Sequence, residues 1–141
     1  MSGVPGSSER EIRTVLPSAT EKDIIPADLS SDCLFCRIVR REISAQIVHE
    51  DEQALVFKDV NPQAPMHVLV VPKKHLGCLA ASTDEDMPLL GHLQRLACRV
   101  AESASLSAFR LVTNNGRGAG QSVEHLHYHL LAGRPMAWPP G

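Results

Sequence analysis

The chain has 141 residues, 14 Lys plus Arg against 16 Asp plus Glu, 7 histidines and 4 cysteines. That charge balance excludes a surface that grips a nucleic-acid polymer, which needs an excess of cations to displace counterions from phosphates. No apolar run approaches the roughly 20 residues of a membrane-spanning helix, and the first residues lack the basic-then-apolar order of a secretory leader. A cytoplasmic protein with no membrane partner is expected, and Glu9, Glu11, Glu21, Asp23 and Asp28 argue against a mitochondrial presequence.

Residues 1–31, with Gly3, Pro5, Gly6, Pro17 and Pro26 and no sustained apolar period, read as a flexible tail, and one domain is expected over 32–141. In chain order, Asp32 is a plausible N-cap for a short helix that carries Cys33, Phe35, Cys36 and Ile38. Two strand-like runs, Gln46 to Glu50 and Ala54 to Lys58, flank an acidic turn and form a hairpin. Pro62 and Pro65 make a rigid loop before a strand over His67 to Val71. A Ser82–Glu85 capping box opens a helix of about 84 to 103, with Leu89, Leu93, Leu96 and Val100 on one face. Phe109 to Thr113 reads as a strand, a glycine-rich turn follows over 114–120, and a last strand is expected at about 123 to 132. Helix, strands, helix, strands favours an α+β fold with an antiparallel sheet.

In that last strand His125, His127 and His129 alternate, which places three imidazoles on one face. Neutral imidazole is nucleophilic at physiological pH and can attack phosphorus without first losing a proton, provided its other nitrogen is tied in one tautomer. The structural alternative asks three half-buried histidines on one short strand to find separate partners. Upstream, Gly118 and Gly120 allow backbone N–H groups to approach a phosphate, and Ser122 offers a hydroxyl to a leaving group.

Cys33 and Cys36 have the Cys-x-x-Cys spacing of two zinc ligands, of a redox pair, or of chance. The redox reading lacks the parallel β-α-β setting it usually has. Cys78 and Cys98 have no motif, and Cys98, on the long helix, reads as a small buried thiol. His49 and His92 read as surface histidines, and Lys73 and Lys74 as a solvated turn.

The run Gln121-Ser122-Val123-Glu124-His125-Leu126-His127-Tyr128-His129-Leu130-Leu131, with Phe57-Lys58-Asp59, Pro62 to His67, Val71 to His75 and the ending Gly133 to Gly141, closely resembles the histidine triad superfamily, and the Trp138-Pro139-Pro140-Gly141 ending its Hint branch. The resemblance implies an α+β homodimer with a five-stranded antiparallel sheet that binds purine nucleoside monophosphates and hydrolyses their phosphoramidates through a nucleotidyl-histidine. Carried over by position, His127 matches the nucleophile, His129 a phosphate contact and His67 the histidine that aligns the nucleophile. Asn114, Gly120, Gln121 and Ser122 match the surroundings of the phosphate and the leaving amine, and Asp59 the ribose acid. Phe35, Ile38 and Phe57 match the base walls, and Trp138 matches a residue that crosses the dimer. In some branches Cys33, Cys36, His75 and His125 would together hold a structural zinc, although many members with this ending lack the cysteines. Two further readings stand beside the phosphoramidase: a dinucleoside polyphosphate hydrolase of the Fhit kind, against which Ser122 and the C-terminal ending argue, and a nucleotide-binding scaffold in which hydrolysis is incidental.

Overall fold

The computed structural model describes residues 32–141, and the expected N-terminal tail lies outside the described residues. The elements run α1 (Leu34–Val39), β1 (Ile47–Glu50), β2 (Ala54–Lys58), β3 (Met66–Pro72), α2 (Met87–Ser103), β4 (Phe109–Val112) and β5 (Tyr128–Ala132). The strands form one sheet in the order β1-β2-β3-β5-β4, and every neighbouring pair is antiparallel. No helix among the described residues is long and apolar enough to cross a membrane.

The central strands are covered on both faces, which is why β2 and β3 read as continuous apolar runs rather than alternating ones. Val56, Val68, Val70, Tyr128 and Leu130 pack with Leu89, Leu93, Leu96 and Val100 of α2, while Leu55, Phe57, Leu69 and Val71 pack with Phe35 and Ile38 of α1. Strand alternation then sends His67 and His129 to the α1 side, where no long helix covers the sheet.

Four local expectations are corrected. Helix α2 is opened by Thr83 and Asp86: the Asp86 carboxylate accepts the Thr83 N–H at 2.8 Å, whereas the Ser82 hydroxyl turns back to the Leu79 carbonyl at 2.7 Å. The N-cap of α1 is Cys33, whose sulfur accepts the Cys36 N–H, and not Asp32. Cys98 is exposed, because it falls off the stripe that Leu93, Leu96, Ala97 and Val100 bury. Of the three alternating histidines only His129 lies in β5. Pairing with β3 begins at Val70↔Tyr128, and the preceding segment is held by other bonds: His125 N–H to the Val123 carbonyl (2.9 Å) and Leu126 N–H to the Leu76 carbonyl (2.6 Å).

Candidate active site and metal centre

Two clusters of chemistry-bearing side chains flank Phe35. In the first, the Sγ atoms of Cys33 and Cys36 and the Nδ1 atoms of His75 and His125 converge. Cys33 Sγ lies 3.2 Å from His125 Nδ1, Cys36 Sγ 3.2 Å from His75 Nδ1 and 3.5 Å from His125 Nδ1, and the two nitrogens are 3.1 Å apart. The orientation of His125 is set by its far side, where Nε2–H donates to the Pro72 carbonyl at 2.8 Å and leaves Nδ1 with a lone pair. Burial raises the Cys33 thiol, but the neighbouring His125 and His75 rings and the Cys36 N–H outweigh it and bring it down to about 5. Burial and then the neighbouring Cys33 push Cys36 up to about 12, so without a cation the pair shares one negative charge. The four residues form a group that can hold a metal ion. A tetrahedral ion bound at about 2.3 Å to sulfur and 2.0–2.1 Å to nitrogen needs ligand separations of about 3.3–3.8 Å, close to those present.

In the second cluster backbone groups decide where the protons lie. His127 Nδ1–H donates to the His125 carbonyl at 2.7 Å, which leaves Nε2 with its lone pair. Burial lowers the His127 pKa, which favours the neutral ring. His67 Nδ1 accepts the Gln63 N–H at 3.0 Å, and its Nε2 lies 2.9 Å from His129 Nδ1. These two are diagonal neighbours across the β3–β5 ladder, where His67 opposes Leu131 and His129 opposes Leu69. Burial, with His127 and His67 nearby, lowers His129 to about 4 against the opposing pull of Asp59. Asp59 Oδ2 lies 3.4 Å from His67 Nε2 and 4.0 Å from His129 Nδ1, while its Oδ1 accepts the Asn61 N–H at 2.8 Å.

Phe35, Ile38 and Phe57, expected as walls around a base, are buried together in one apolar cluster. Phe35 is its pivot, set edge-on to Phe57, His125 and His127 with ring centroids 5.4, 5.8 and 5.1 Å away. Gly120 sits at φ +98 with Asn114 Nδ2 3.7 Å from where its Cβ would be, so Asn114 turns back over the glycine-rich loop. Gln121 is buried and spends its amide within that loop region, accepting the Gly116 N–H and donating to the Gly77 and Val123 carbonyls. Ser122 is exposed at the loop end, and Trp138 stands 81% exposed in the C-terminal segment.

Sequence reasoning missed the supporting groups. The Thr113 hydroxyl donates to the His127 carbonyl at 2.9 Å; a β-branched residue just after a strand carries no sign of that role. The peptide groups of Gln63, Pro72 and His125 set histidine tautomers without any side-chain signature. His92 is not a free surface histidine: its Nε2 lies 2.8 Å from Asp51 Oδ2 and ties α2 to the β1–β2 turn. Nor do Lys73 and Lys74 form a merely solvated turn, since they pair with Glu50 at 2.7 Å and with the buried Asp86 at 2.6 Å.

The chain resembles known proteins along its described length. The family model of the scavenger mRNA decapping enzyme C-terminal binding region matches residues 32–137. An uncharacterized HIT-like protein of Synechocystis sp. is 56% identical over 114 residues, which is 80% of this chain and all of that protein. A HIT family hydrolase from Legionella pneumophila superposes with TM-score 0.76 at 47% identity, over 77% of this chain and 99% of that one. A histidine triad protein from Clostridium difficile does so with TM-score 0.73 at 42% identity, over 75% and 94% of the two chains. Together with the cluster of His67, His127 and His129, these matches make the chain a member of the histidine triad (HIT) family.

Proposed function

We propose that this chain is a hydrolase of purine nucleoside phosphoramidates, such as adenosine 5'-phosphoramidate or AMP linked to an amine, acting through a nucleotidyl-histidine. The hydrolase names of solved relatives support the reaction class. The observation that carries the reading is the tautomer of His127: with Nδ1–H bound to the His125 carbonyl, Nε2 is an unprotonated nucleophile. In the first step Nε2 forms a bond to phosphorus as the P–N bond to the amine breaks, and Ser122 delivers the proton the amine needs to leave. In the second step water attacks phosphorus and gives a proton back to the Ser122 oxygen, the N–P bond to His127 breaks, AMP departs and the ring is neutral again. His129, held by His67, donates to a phosphoryl oxygen. Asn114, Gly120 and Gln121 shape the phosphate loop, Asp59 accepts the ribose hydroxyls, and Phe35, Ile38 and Phe57 stack the base without reading its edge.

Cys33, Cys36, His75 and His125 would hold zinc. It would fix the segment that presents His127, a structural role distant from the reacting phosphorus. A homodimer completes the reading, with the exposed Trp138 reaching the partner; a stable, active monomer in sedimentation would contradict that role.

The deciding test is turnover of adenosine 5'-phosphoramidate by the parent, His127→Ala and Ser122→Ala chains. His127→Ala is expected to lose several orders of magnitude in kcat while still binding AMP, and Ser122→Ala about 100-fold or more. A parent that binds AMP without turnover would be a binding module. Preference for diadenosine polyphosphates would mark the Fhit kind of hydrolase.

A further inference from the structure

The proton positions around His129 depend on a peptide group outside the histidine cluster. Gln63 N–H is a permanent donor, so His67 Nδ1, 3.0 Å away, must be the bare nitrogen of the neutral ring and Nε2 must carry the hydrogen. His67 Nε2–H then faces His129 Nδ1 at 2.9 Å, which must accept, and the His129 proton is left on Nε2. Asp59 Oδ2, 3.4 Å from His67 Nε2, favours the same arrangement. In the opposite tautomer two N–H groups would meet at Gln63, and the bare nitrogen of His129 would be free to move to Nε2. A lone pair there repels an anionic oxygen, whereas an N–H binds it.

Gln63 is itself held on the other side of its Cα, through the carbonyl of its next peptide group. Arg134 Nε–H donates to the Gln63 carbonyl at 2.8 Å, and Arg134 Nη1 donates to the Pro135 carbonyl at 2.9 Å, so one guanidinium bridges the loop and the C-terminal segment. Beside it Gly133 lies flat on Pro65: its φ is +96, and a Cβ there would come within 2.9 Å of Pro65 Cβ. Gly133 directly follows Ala132, the last residue of β5. The strand that carries His129 thus turns back onto the loop that sets the protonation of its partner.

We propose that the Gly133–Arg134 turn is a positioning clamp: by fixing the backbone of Gln63 through its carbonyl it keeps the Gln63 N–H on His67, holds His67 in the Nε2–H tautomer and thereby places a donor proton on His129 Nε2 for a phosphoryl oxygen. The identity of that ligand rests on the phosphoramidase reading; the clamp and the tautomer do not. An Arg134 that only ties down the C-terminal segment would affect stability and leave the rings unchanged.

Long-range ¹H–¹⁵N spectra of the full chain at about pH 8, where imidazoles are neutral, distinguish the tautomers directly. The parent is expected to show Nε2–H at both His67 and His129. Arg134→Ala should introduce a second tautomer at His67, with kcat for adenosine 5'-phosphoramidate reduced by up to roughly tenfold, the value of one hydrogen bond, and KM changed less. Arg134→Lys, which keeps a donor, should restore most of the parent spectrum, and Gly133→Ala should reproduce the Arg134→Ala tautomer shift by pushing on Pro65. Nδ1–H at His67 in the parent, or unchanged ring signals in Arg134→Ala, overturns the clamp. A parent with the expected tautomers and no turnover supports the clamp and removes the phosphoramidase reading instead.

Discussion

Phe35 joins the cysteine–histidine cluster, His127 and the apolar cluster, so its removal should be felt in all three. The side chain is 5% exposed and meets Phe57, His125 and His127 edge-on at interplanar angles of 74, 69 and 88°. Truncating a buried Phe to Ala costs about 3–5 kcal/mol, and the edge contacts, at about 0.5–1.5 kcal/mol each, fall within that total. Phe35→Leu keeps most of the volume and loses the ring edges, for about 1–2 kcal/mol. For a domain of this size about 1 kcal/mol corresponds to roughly 4 °C in Tm. Circular-dichroism melts should therefore place Phe35→Ala roughly 12–20 °C below the parent and Phe35→Leu roughly 4–8 °C below it. AMP affinity should fall in the same order, because the lost ring is also a wall of the proposed base site. An Ala variant within about 3 °C of the parent, or a Leu variant melting below it, would refute the pivot role.

Thr113→Val, nearly isosteric, leaves the His127 carbonyl without its partner and should cost about 1 kcal/mol in urea unfolding, with kcat reduced more than KM; unaltered kcat would mean that the carbonyl does not steady the nucleophile. Purified chain should carry about one zinc by elemental analysis, and free zinc at a thousandfold excess over its Kd adds about 4 kcal/mol of stability; zinc content independent of Cys33→Ser would sink the assignment. Burial raises the Asp51 carboxyl, but the Gln53 and Ala54 N–H groups and His92 outweigh it and leave the pKa below its ordinary value. Its contribution is therefore complete above the unfolded pKa of about 3.9 and lost as pH falls through the lower folded value. Asp51→Asn should destabilise the chain at neutral pH and converge with the parent below about pH 3; a gap that widens in acid would reverse that sign.

What the residues announce in advance is whatever depends on periodicity and donor type. The leucine stripe of α2, the β1–β2 hairpin and the Cys-x-x-Cys knuckle follow from spacing that any chain with these side chains must respect. The division of the histidine row does not, because alternation is the same for a paired strand and for an extended segment held by tight turns. Continued in the β3–β5 register His127 would face Val71, still within β3, so the end of β3 does not decide it; the segment gives its groups to other partners instead, Leu126 N–H to the Leu76 carbonyl and the His127 carbonyl to the Thr113 hydroxyl. The exposure of Cys98 was misread for a related reason: a thiol one residue beyond a buried alanine differs from it by about 100° of helix rotation, a full change of face. The pairing of His92 with Asp51 across 41 residues is long-range, and neither residue shows it locally.

His125 serves its two neighbours through different atoms. Its ring faces the cysteines, while its main-chain oxygen takes the Nδ1 proton of His127. A carbonyl is common to every amino acid, so the tautomer of His127 imposes no demand on what side chain stands at 125. The ligand and the hydrogen-bond acceptor are separable within one residue. Exchanging the imidazole for another group would alter the cysteine–histidine cluster while leaving the acceptor in place, so a chain of this fold could gain or abandon a metal ligand at 125 without redesigning the proton arrangement of His127.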